Sequence, residues 1–97
     1  MLDGSMRVMC GTKTWEASAG STIFLPKGIE HAVLVTSETP ARALQITNPA
    51  GFEDFISELG RRPDTAGIPA PTMPDIPRME DVGRRTGRIV VGPPLAL

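Results

Sequence analysis

At 97 residues the chain has room for one domain at most, with a single modest core. Ten basic and eleven acidic side chains leave a formal charge of −1, a balance that argues against nucleic-acid or anionic-membrane partners, which select clustered basic surfaces. One cysteine, Cys10, excludes an intramolecular disulfide and fits a reducing compartment.

No apolar run approaches the ~20 residues of a membrane helix. The opening "MLDGSMRVMC" lacks the charged and apolar regions of a signal peptide, so a cytoplasmic location is expected. Met6, Val8 and Cys10 alternate with Arg7 and Met9, the period-two pattern of a strand. Cys10 reads there as a small apolar strand residue, since no base is visible beside it. Gly11-Thr12 supplies a turn and "KTWEA" returns as a second strand containing Trp15. "TIFL", "HAVLVT" and "ARALQIT" read as three more strands, punctuated by Gly20, Pro26 and the polar "SETP" turn. Short strands in such close succession predict an all-β antiparallel sandwich or barrel over residues 1–48.

The pattern then changes. Asn48 reads as an N-cap, Pro49 as the first helical residue and Gly60 as the stop, giving a helix over residues 49–60. Phe52, Phe55, Ile56 and Leu59 form its apolar stripe, expected to lie against the sheet. Residues 61–97 read as a Pro-rich linker, a weak second helix and a short strand in "RIVVGPP". Asp75 would cap that second helix, with Met79 and Val82 inward, although Gly83 weakens it. The Arg61-Arg62 and Arg84-Arg85 pairs read as solvated surface.

The sole histidine, His31, follows the "PKG" turn and shares a strand face with Val33 and Val35. Such an imidazole could ligate a metal, act as a base or hydrogen-bond a carbonyl. Spacing alone favours the structural role, because one histidine is not a metal site.

Gly20-x5-Pro26-x-Gly28-x2-His31 resembles the second motif of the cupins, G-x5-P-x-G-x2-H-x3-N, with Val35 in place of the asparagine. The following "GFEDFISELG" and the closing "RIVVGPP" further resemble small bacterial cupins of the quercetin-dioxygenase-like group. The resemblance implies a partial jelly-roll β-barrel with one or two C-terminal helices. It implies that His31 ligates a divalent metal (Fe, Mn, Ni, Zn or Cu), with Gly20, Pro26 and Gly28 shaping the turn. Met6, Val8, Phe24, Val33 and Val35 would line a small-molecule pocket, though the same residues would serve equally as core. Of the first cupin motif, G-x5-H-x-H-x3-4-E-x6-G, only the final glycine has a counterpart, Gly4. Glu30 should point away from His31, and Glu16 should face solvent.

Two expectations follow. Either the reading frame continues upstream of Met1, or the chain is a true truncation whose unpaired strand edges favour a homodimer. The function expected is small-molecule binding without a complete metal site or independent catalysis. The alternative is a metal-dependent dioxygenase or isomerase whose missing ligands come from an upstream segment or a partner chain.

Overall fold

The computed structural model describes residues 1–96, so the last residue of the 61–97 segment lies outside the described residues. The chain divides into two compact units, Met1–Ile46 together with the stretch from Val91, and Thr47–Val90.

The first unit is built on a three-stranded antiparallel sheet in the order β2-β1-β3, with β1 at Met6–Cys10, β2 at Lys13–Ala17 and β3 at His31–Val35. Gly11 (φ +60°) turns β1 into β2, and no non-glycine residue has positive φ. Positive φ at the first loop residue alone is the pattern of a II′ hairpin turn, whose twist matches the flanking strands. Cross-strand pairing is Val8↔Trp15 and Met6↔Ala17 on one side, Val8↔Val33 and Met6↔Val35 on the other. Directly paired side chains share a face. One face therefore carries Met6, Val8 and Cys10 flanked by Lys13, Trp15, Ala17, His31, Val33 and Val35. Its centre is dry, with Val8, Cys10 and Ala17 buried. Removing Val8 from water contributes roughly 2 kcal/mol.

The β1–β3 ladder is bracketed by two hydrogen bonds, Gly11 N–H to Glu30 O (2.9 Å) and Thr36 N–H to Ser5 O (3.0 Å). Hydrogen-bonded pairs alternate along an antiparallel ladder. Ala32 and Leu34 thus bond to β1, while the backbone groups of His31, Val33 and Val35 point to the outer edge of the sheet.

The sheet departs from the expected all-β architecture. Three strands and two helices are compatible with part of a cupin-like β fold, but no barrel closes among the described residues. "TIFL" is irregular rather than a strand. An apolar run becomes a strand only where a partner ladder meets it, and Pro26 removes one donor at its end. The "ARALQIT" segment pairs at one point, the Asp3↔Arg42 bridge, and "RIVVGPP" forms no strand.

The second unit is a pair of helices, α1 at Phe52–Leu59 and α2 at Ile76–Arg85, packed on each other. α1 starts three residues later than its sequence suggests. Gly51 takes φ +140°, a conformation reserved for glycine, so the helix cannot reach back to Pro49. No side chain of the capping residue closes the end. Instead the Gly51 N–H donates to Glu53 Oε2 at 2.8 Å. Backbone hydrogen bonds from Glu53 itself and from Gly51 hold the Glu53 carboxyl below the usual range.

α2 follows its sequence closely. Asp75 Oδ1 accepts the Arg78 N–H at 3.1 Å, and Val82 is buried at 1 % exposure. Arg85 joins the helices, donating from Nη1 to Glu58 Oε1 (3.0 Å) and from Nε to Asp81 Oδ2 (3.2 Å). The Glu58 carboxylate first, then Asp81, raises the Arg85 pKa. On α1, the Phe52 and Phe55 rings stack with centroids 5.6 Å apart.

Candidate ligand-binding groove

The "GSTIFLPKGIEH" segment, residues 20–31, supplies one wall of an open groove, and β2 with the β1–β2 turn supplies the other. Gly20 (φ +92°) ends the turn after β2, where its N–H reaches Met1 O at 2.9 Å. Gly28 (φ +82°) sits in the turn that Pro26 introduces. Both glycines therefore occupy the left-handed geometry expected of them, and an added Cβ at either would meet nothing within 4 Å. Their role is to turn the chain.

Between these walls lies a cavity of about 880 Å³. Trp15, Ile23, Phe24, Pro26 and Ile29 give it an apolar lining, and Cys10 lies at its base beside Gly11. Lys13, Glu16, Ser21 and Thr22 add polar groups. Glu16 is engaged elsewhere: its Oε1 accepts Arg7 Nε at 2.6 Å, and its Oε2 accepts Thr36 Oγ1 at 3.3 Å. Lys13 forms no ion pair among the described residues, so its ammonium is available to a ligand.

Of the five pocket residues the sequence suggests, only Phe24 lines this groove, standing 80 % exposed. Met6, Val8, Val33 and Val35 are brought together as direct cross-strand pairs on the sheet face. Sequence reasoning missed Trp15, Ile23, Ile29 and Lys13. Trp15 carried a usable signal, as the only tryptophan on a short strand whose neighbours are polar.

His31 opens β3 as Cα partner of Cys10 and is exposed. Its Nδ1 lies 3.3 Å from Ile29 O. Glu30 and Glu16 are both exposed.

Residues 1–47 match a family model described as "Cupin domain", which supports assignment of this segment to the cupin superfamily. No curated protein and no solved structure matches the chain. The divalent metal implied by that superfamily does not fit the donors present. Among the described residues, no three His, Cys, Asp or Glu side chains gather where they could hold one ion. No helix of the described residues is long and apolar enough to cross a membrane.

Proposed function

We propose, starting from the cupin match of residues 1–47, that this chain binds an aromatic or otherwise apolar small molecule in the groove beside β2. The observation that carries the reading is the cavity of about 880 Å³ with Trp15 and Phe24 in its walls. Its volume lies in the range of ligand sites, ~300–1,000 Å³, and its apolar lining with few polar groups follows their usual chemistry. The two aromatic rings offer flat apolar surface to a ring-bearing ligand. Lys13 would receive an anionic substituent, because Glu16 is already held by Arg7.

Trp15 is the only tryptophan, so its emission reports occupancy directly. Titration with 1-naphthoate should change that emission saturably, and Phe24→Ala should weaken binding roughly tenfold. Lys13→Met should weaken 1-naphthoate and leave the neutral 1-naphthylmethanol unaffected. An unchanged emission, or Phe24→Ala binding like the parent, would reject the groove as the site.

A second reading draws on the exposed ring of His31, which could receive a metal together with donors from another chain or segment. Stoichiometric Fe, Mn, Ni, Zn or Cu in the purified protein, lost in His31→Ala, would favour a metal-dependent dioxygenase or isomerase. A metal-free protein that binds 1-naphthoate favours the first reading.

A further inference from the structure

We infer that Arg7, which does not line the groove, decides which ligand charge the groove accepts: by clamping Glu16 it makes the site select organic anions and reject organic cations. The inference rests on the groove reading above and adds to it a positioning residue that touches no ligand. Lys13 and Glu16 are the charged side chains of the groove lining among the described residues. By count they cancel. The sign that a ligand meets therefore depends on which of the two is already neutralised.

Alternation along β2 separates them. Lys13 and Trp15 lie on one face of the sheet, and Glu16 lies on the other beside its direct cross-strand partner Arg7. There both carboxylate oxygens are engaged. Arg7 Nε donates to Oε1 at 2.6 Å, and Thr36 Oγ1, just past the end of β3, donates to Oε2 at 3.3 Å. Thr36 is fixed in turn. Its hydroxyl hydrogen goes to Glu16, so the Ser5 hydroxyl donates to Thr36 Oγ1 at 2.9 Å. Its N–H donates to Ser5 O at 3.0 Å.

Lys13 has no such partner among the described residues. An uncompensated ammonium attracts an anion and repels a cation, and both effects are larger beside the apolar walls of Trp15, Ile23 and Phe24 than in open water. The Arg7–Glu16 pair is exposed, so it contributes little to stability. Its effect is on charge and direction. Without Arg7, Glu16 becomes a free carboxylate in the groove lining, set against the Lys13 ammonium.

Trp15 emission in the full chain reads the affinities of 1-naphthoate, 1-naphthylmethylammonium and the neutral 1-naphthylmethanol. The neutral ligand corrects for any change in groove shape. The parent should prefer the anion to the cation by roughly tenfold, and Arg7→Met should remove that preference. Arg7→Met/Glu16→Gln should bring it back, which the loss of a merely structural pair would not do. Thr36→Val frees Oε2 alone and should move the ratio the same way by roughly twofold to threefold. It takes the place of Arg7→Met if that chain loses the neutral ligand too. Either variant showing the parent's preference overturns the inference, as does a double variant in which the preference stays lost. A parent that binds the neutral ligand but takes both ions equally overturns it and leaves the groove standing. A parent that binds none of the three rejects the groove itself, and this inference with it.

Discussion

Gly4→Ala is expected to destabilise the Met1–Ile46 unit by about 3 kcal/mol. Gly4 has φ +70°, and holding alanine there costs roughly 1–2 kcal/mol on conformational grounds alone. The second contribution is steric. An added Cβ would stand 2.8 Å from Ala41 Cα, 2.8 Å from Ser37 Oγ and 2.9 Å from Pro40 O. Two of these are backbone atoms. The third cannot swing aside freely, because Ser37 Oγ accepts the Ser5 N–H at 3.0 Å and donates to Thr39 O at 2.8 Å. Displacing it costs about 1 kcal/mol for each bond lost.

Urea unfolding followed by Trp15 emission reads this unit, and Gly20→Ala provides the control. Gly20 has φ +92° but nothing within 4 Å of an added Cβ, so it carries the conformational cost without the clash. Gly4→Ala should therefore cost more than Gly20→Ala by about 1–2 kcal/mol. Equal costs would show that the 37–41 segment does not press on Gly4.

The same contrast between local and distant causes separates what the sequence makes legible from what it does not. β1, β2 and β3 are legible because period-two alternation and the Gly11 turn act within a few residues. "TIFL" carries β-branched and aromatic residues as a strand does, yet Thr22, Ile23 and Phe24 become groove wall, since strand formation there depends on a partner that no local pattern reveals. α2 is legible through the Asp75 cap, which is local chemistry. The start of α1 is not, because Asn48-Pro49 resembles a helix entry until Gly51 takes φ +140°. For the candidate site, the Gly20, Pro26 and Gly28 turns are visible in sequence, but the groove they form with Trp15 depends on how two segments face each other. Val33 shows the limit most clearly. Its place on the sheet face follows from alternation, while its outward backbone follows only from the register with Val8.

Gly83→Ala should destabilise the Thr47–Val90 unit by about 2 kcal/mol, against the sign that helix propensity gives. In an open helix the change would stabilise by about 1 kcal/mol, which is why Gly83 weakens α2 when read in sequence. Here Gly83 is buried, and an added Cβ would meet Arg88 O at 2.7 Å. The close approach arises because the chain reverses at Gly87 (φ +82°) after α2 ends. Arg88 N–H then returns to Gly83 O at 2.6 Å. The reversal also sets the Arg88 guanidinium 4.7 Å from the Phe52 ring centroid and 5.9 Å from that of Phe55. A methyl group at residue 83 would lift this turn. It would sacrifice a hydrogen bond of about 1 kcal/mol and a cation–π contact of about 0.5–1 kcal/mol, besides the overlap itself. Far-UV circular dichroism during urea unfolding measures the loss. A Phe52→Leu background divides it, since the cation–π share is then already gone and Gly83→Ala should cost about 0.5–1 kcal/mol less. A stabilised Gly83→Ala variant would mean that Arg88 does not fold back onto α2. An undiminished cost beside Phe52→Leu would assign the whole effect to the Arg88 backbone and none to its guanidinium.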